Sequence, residues 1–178
     1  MSSPAIYYFD LASPLAYIAS ERILQVLPGG TDWRPVLARE LSGGVRFDIP
    51  EIERIARERG LQPLHWPADF PFDSELAMRV ATYARSIGRV VPFAQAAFRQ
   101  AFAGGHSLAN ADNVLIAAAA CEMHPTAVLK GAELKSIREQ LTRATAEAAM
   151  LGVTEVPAIR IDGHVLVGNG ALDRAAAV

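Results

Sequence analysis

The sequence predicts an α/β fold of one domain, with strands near both ends of the chain and helices between them. Three observations carry that reading. Ala5-Ile6-Tyr7-Tyr8-Phe9 leads through Ser13-Pro14 into a helical pattern, and Thr31–Val36 returns as a second strand. Two strands joined through a helix make a parallel, right-handed βαβ unit. The middle of the chain carries apolar residues at helical spacing. Near the end, Asp162-Gly163 separates two short apolar runs, a strong signal for a two-residue hairpin turn.

The elements follow in order. The first helix runs from Pro14 toward Val26, with Leu15, Ile18, Ala19, Ile23 and Leu24 at helical spacing, and Pro28-Gly29-Gly30 stops it. In the second strand, Pro35 lacks the N–H that a central strand needs, which limits the strand to an edge or places Pro35 at its end. Glu51–Arg59 is a short charged helix stopping at Gly60, and the prolines of Leu61–Phe72 make that stretch an irregular loop. Ser74 caps a helix with Leu76, Val80, Tyr83, Ala84 and Ile87 on one stripe. Pro92 starts the next, with Phe93, Ala97 and Phe102. Asp112 caps a third, which breaks at His124-Pro125. A long helix from about Ala132 to Leu151 turns Leu134, Ile137, Leu141, Ala144, Ala148 and Leu151 inward and stops at Gly152. Ala158–Ile161 and His164–Val167 form the hairpin, and a short helix over about Ala171–Ala177 follows.

Composition narrows the function. The 178 residues are 51% hydrophobic and 20% charged, which is ordinary for a folded protein able to bury a core without disulfides. A net charge of −2 leaves no electrostatic footprint for nucleic acid or an anionic membrane. No stretch is apolar for long enough to span a bilayer, and Met1-Ser2-Ser3-Pro4 has no basic region or apolar run of a signal peptide, so the cytoplasm is the expected location. The single cysteine, Cys121, cannot form an internal disulfide and reads as a small buried hydrophobe. The four histidines show no metal-ligand spacing, and there is no phosphate loop or dinucleotide glycine motif.

Ser13 supports two readings. As an N-cap before a proline at the first helical position it is a common way to start a helix. The same place offers free N–H groups and partial positive charge, which suits an anion such as a thiolate. Asp10 either orients the Ser13 loop or is a plain turn aspartate. Trp66, in His65-Trp66-Pro67, either stacks on an aromatic substrate at a pocket mouth or covers the core.

The order βαβ, helices, ββα matches a thioredoxin fold with an all-helical insertion, and two segments make the likeness more specific. Phe9-Asp10-Leu11-Ala12-Ser13-Pro14-Leu15-Ala16-Tyr17 resembles the start of the glutathione-dependent branch of the DsbA-like family, which includes 2-hydroxychromene-2-carboxylate isomerases and kappa-class glutathione transferases. Gly152-Val153-Thr154-Glu155-Val156-Pro157-Ala158 is similar to that family's cis-proline loop, and Gly168-Asn169-Gly170-Ala171-Leu172 follows it as in those proteins. The resemblance implies a DsbA-like domain over 1–178, with the thioredoxin-fold part at about 1–45 and 152–178 and the helical insertion at about 46–151. Where redox members carry Cys-x-x-Cys, this chain has Ser13-Pro14-Leu15-Ala16, so exchange through an intramolecular cysteine pair is excluded.

What the resemblance implies for the site is a borrowed sulfur. Ser13 would hydrogen-bond the sulfur of a bound thiol, glutathione or another low-molecular-weight thiol, lowering its pKa from the usual value of about 8.5. Val156, beside a cis Pro157, would pair its backbone with the thiol peptide. Asn169 and Gly170 would contact the cofactor, although Gly170 stands where the family often has an acidic group for the γ-glutamyl amine. The isomerases usually carry a lysine and an asparagine after the second strand; here Arg39 or Arg46 meets a substrate carboxylate in the lysine's stead, or each is a solvated surface arginine. The expected activity is thiol-dependent isomerisation of a conjugated aromatic acid. A kappa-like glutathione transferase and a non-catalytic binding module are the alternatives, and since dimers are common in the family the resemblance allows a homodimer.

Overall fold

The computed structural model describes residues 4–178; Met1–Ser3 lie outside it. Four strands form one mixed sheet in the order β2-β1-β3-β4. β1 (Ala5–Phe9) pairs parallel with β2 (Thr31–Pro35) and antiparallel with β3 (Ala158–Ile161), which forms the hairpin with β4 (His164–Val167). β2 is an edge strand and Pro35 is its last residue, as a missing N–H requires. Asp162 and Gly163 both take positive φ, 45° and 83°, the geometry that lets a two-residue turn follow the strand twist.

Alternation along β1 divides the core. Tyr7 and Phe9 face one side, where Tyr7 stands opposite Trp33 on β2 and Ile159 on β3. That larger core takes in Phe93, Phe98, Phe102 and Leu172. Tyr8 faces the other side and packs with Val36, Ala148, Val153 and Ala158.

Among the described residues the helices are α1 (Pro14–Ser20), α2 (Ile23–Val26), α3 (Ile49–Glu58), α4 (Glu75–Ser86), α5 (Val90–Phe98), α6 (Ala111–Ala119), α7 (Pro125–Glu133), α8 (Lys135–Met150) and α9 (Ala171–Ala175). A 3-10 turn, Ala38–Glu40, follows β2, and a π-helical turn, Arg99–Ala103, extends α5 and sets Phe102 into the core.

Local expectations differ from the structure at several places; Ile87, expected on the stripe of α4, is its C-cap and 47% exposed, and α5 starts at Val90 rather than Pro92. The helix expected over Pro14–Val26 breaks at Glu21-Arg22; its apolar period continues because both pieces lie on one core, but Leu24 is exposed. The N-cap of α6 is Asn110, whose side-chain oxygen accepts from the Asp112 N–H, while Asp112 sits in the first turn where negative charge suits the helix dipole. The long helix begins at Lys135, after an extended Leu134 that ends α7. Leu134 and Leu151 therefore fall at helix ends and are 51% and 44% exposed, whereas Ile137, Leu141, Thr145 and Ala148 form the buried stripe of α8. Ser74 sits at the N-cap position of α4 but makes no capping bond to the helix.

Candidate functional site

The turn between β1 and α1 is built around two side chains. Ser13 caps α1, its Oγ accepting from the Ala16 N–H at 3.1 Å, and its own N–H donates to the Asp10 carbonyl at 2.9 Å. The Tyr7 hydroxyl donates to the Ala16 carbonyl at 2.6 Å and pins α1 to the strand that precedes it. Ser13 is 8% exposed, and no residue of the described chain accepts its hydroxyl hydrogen. The hydroxyl is thus both helix cap and spare donor.

Ser13 opens onto a cavity of about 440 Å³. Its apolar wall is Pro14, Leu15, Val45, Phe47, Ile52, Pro71 and Phe72; its polar groups are Asp10, Arg39, Arg46, Asp73, Ser74 and Glu155. Val156 lines the same cavity as the serine turn. The Val156–Pro157 bond is cis, and neither the N–H nor the C=O of Val156 is paired within the described chain. The loop after the 3-10 turn is held over the same region by the Gly43 N–H, which donates to the Thr154 carbonyl at 2.7 Å. A side chain at Gly43 would put its Cβ 2.5 Å from that carbonyl oxygen, so this close approach needs glycine.

The two arginines reach the cavity in different states. Arg39 is committed to Asp73 at 3.1 Å and Glu75 at 2.6 Å, and it holds the Glu75 carboxyl below its ordinary range. Arg46 is exposed and pairs with no carboxylate of the described chain.

Asp10 is more than a turn aspartate. The residue is 3% exposed and lines the cavity. One oxygen accepts from the Ala12 N–H and the other from the Ala38 N–H, each at 2.9 Å, tying the serine turn to the start of the 3-10 turn. Burial pushes its pKa up, against the opposing pull of the two N–H groups, the Ser74 hydroxyl and Arg39. The local signal, an aspartate in a turn, was visible; its burial comes from distant segments.

The other candidates, Pro157, Trp66, Asn169 and Gly170, are not among the residues that line this cavity, and Pro157 lines a neighbouring depression. Trp66 sits in a layer behind it, its ring centroid 4.8 Å from Phe70 and its Nε1–H donating to Glu53 at 2.9 Å; it covers the core rather than lining the pocket. Asn169 and Gly170 face a separate shallow depression beyond Pro157, shared with Arg22, Arg59 and Asp173. A Cβ at Gly170 would lie 3.2 Å from the Arg174 guanidinium, so a side chain at this position would crowd a cation. Cys121 is buried in the helical core, where burial pushes its thiol pKa up. Among the described residues, no histidine, cysteine, lysine or tyrosine lines the cavity. A sulfur nucleophile acting beside Ser13 must arrive with a ligand.

The model of the DSBA-like thioredoxin domain family matches residues 6–177. Among solved structures, a 2-hydroxychromene-2-carboxylate isomerase superposes with a TM-score of 0.86 at 16% identity, covering 98% of this chain and 93% of that one. A probable DsbA oxidoreductase from Streptomyces coelicolor gives 0.78 at 16% identity, covering 99% and 88%. The cytosolic disulfide reductase DsbM from Pseudomonas aeruginosa, solved with GSH, gives 0.71 at 17% identity, covering 98% and 96%. No curated protein matches by sequence. Among the described residues, no helix is long and apolar enough to cross a membrane.

Proposed function

The chain belongs to the DSBA-like thioredoxin domain family, and from that premise we propose that it is a thiol-dependent isomerase of the 2-hydroxychromene-2-carboxylate type. The observation that carries this reading is the spare hydroxyl hydrogen of Ser13 in the same cavity as the unpaired backbone of Val156. A thiol peptide laid along Val156 completes a strand edge, and its sulfur meets a donor that favours S⁻ over SH. The thiolate adds to a conjugated carbon, the single bond so created rotates, and elimination returns the thiol unchanged. The apolar wall suits an aromatic ring, and Arg46, which has no carboxylate partner among the described residues, suits the acid group.

The cofactor is glutathione or another low-molecular-weight thiol. Gly170 and the neighbouring Arg174 guanidinium offer no acidic partner at that position for a γ-glutamyl amine. Calorimetric titration with glutathione, cysteine and mercaptoacetate should find at least one that binds below about 1 mM, an affinity worth roughly 4 kcal/mol. In Ser13→Ala the bound thiolate loses a charge-assisted hydrogen bond of about 1.5–3 kcal/mol, a rise in its pKa of about 1–2, read from thiolate absorbance against pH. Failure of every thiol to bind rejects the reading; an unchanged pKa removes Ser13 from it.

A further inference from the structure

A cavity that receives a thiol and uses it as thiolate must dispose of one proton. Asp10 is the buried carboxyl in the wall of that cavity, three residues before Ser13 and hydrogen-bonded into the same turn. The other carboxyls at the rim, Asp73 and Glu155, are exposed residues, and Asp73 is already held by Arg39. Building on the thiol reading, we propose that Asp10 takes the proton from the thiol bound beside Ser13 and holds it inside the cavity until the thiol leaves. The S–H bond breaks, an O–H bond forms on the carboxyl, and the reverse transfer restores both; no further reactant is needed.

The electrostatics favour this exchange. Two negative charges in one partly enclosed cavity repel, so thiolate and carboxylate behave as a pair that holds one proton between them over an interval of pH. The groups facing Asp10 bias the pair without satisfying it. The Ala12 and Ala38 N–H groups and the Ser74 hydroxyl favour the carboxylate; Arg39 does so weakly, because its charge is met by Asp73 and Glu75; Arg46 and Glu155 stand further out on the rim. Burial opposes all of them and keeps the carboxyl ready to accept a proton. A purely structural Asp10 would need only its two backbone bonds, and its loss would change stability without changing the proton count of thiol binding.

That count is the test. Glutathione, or whichever of the three thiols binds best, is titrated near pH 7 into the full-length protein in buffers of different ionisation heat, while thiolate absorbance is followed. Wild type should form thiolate with about zero protons released per thiol bound, and Asp10→Asn with about one. Ser74→Ala, which keeps both backbone bonds to Asp10, weakens the carboxylate and should move the onset of proton release to higher pH. It provides the test even if Asp10→Asn fails to fold. Thiolate formation with a full proton released by wild type overturns the assignment of Asp10 and leaves the thiol reading standing. An unmoved onset in Ser74→Ala also overturns the assignment, whereas absence of thiol binding removes the thiol reading itself.

Discussion

Arg39 and Arg46 show how two like side chains at one cavity acquire different work. Arg39 spends its charge on Asp73 and Glu75 and so joins the 3-10 turn to the start of α4. Among the described residues Arg46 has no such partner, and the proposed function assigns it the substrate's carboxylate. With 2-hydroxychromene-2-carboxylate as the probe and a thiol present, Arg46→Gln should raise KM about tenfold, close to 1.4 kcal/mol, with kcat changed little. Arg39→Gln should instead act mainly on stability, and a KM effect equal to that of Arg46→Gln would contradict the division. The sequence alone left the two arginines equivalent, because what separates them is an ion pair to residues more than thirty positions away. Ser13 was legible for the opposite reason: a hydroxyl before proline at a strand–helix junction is a local signal. Asp10 fell between these cases, its turn position visible and its burial under Ala38 and Ser74 invisible.

At the scale of elements, the helical block depends on close approaches that periodicity does not reveal. Gly131 lies within α7, where alanine normally stabilises a helix by roughly 0.5–1 kcal/mol. Here an added Cβ would stand 2.4 Å from Cδ2 of Tyr83 on α4. Overpacking should reverse the usual sign, so Gly131→Ala should lose about 1–3 kcal/mol in urea unfolding, and a Tyr83→Leu background should recover part of it. A stabilised single variant would show that the two helices separate freely. The same contact bears on the boundary that the sequence did not mark. Neither glycine nor proline stands between α7 and α8, and the break at Leu134 comes after α7 has packed on α4 and α6. The hairpin, in contrast, was fully legible, because Asp-Gly dictates its turn from within.

At the scale of the molecule, the ends of the thioredoxin-like part are fastened by one carboxylate. Asp173 on α9 accepts from Arg22, between α1 and α2, at 2.9 Å and from Arg59, at the end of α3, at 2.5 Å. Arg22 foremost, and Arg59 with it, holds the Asp173 carboxyl below its ordinary value of 3.8. A carboxylate with a lowered folded-state pKa contributes stability above its unfolded value and loses it as the pH falls through the folded one. Melting temperature against pH should therefore show wild type above Asp173→Asn at neutral pH, with the two curves converging below about pH 3.8 and the gap shrinking in high salt. Parallel curves down to the lowest pH would deny the fastening. The cavity obeys a similar long-range logic, since its walls come from the β1–α1 turn, the 3-10 turn, the segment into α3, the loop before α4 and the residues before Pro157. Each piece is made at a different time. A ribosome feeds out the amino-terminal part first, so Ser13, Asp10 and Arg39 spend most of translation facing an unfinished pocket. On the thiol reading proposed above, capacity to hold a thiol should come late, once Val156 emerges and docks, and thiol capture by stalled nascent chains of increasing length would time that moment.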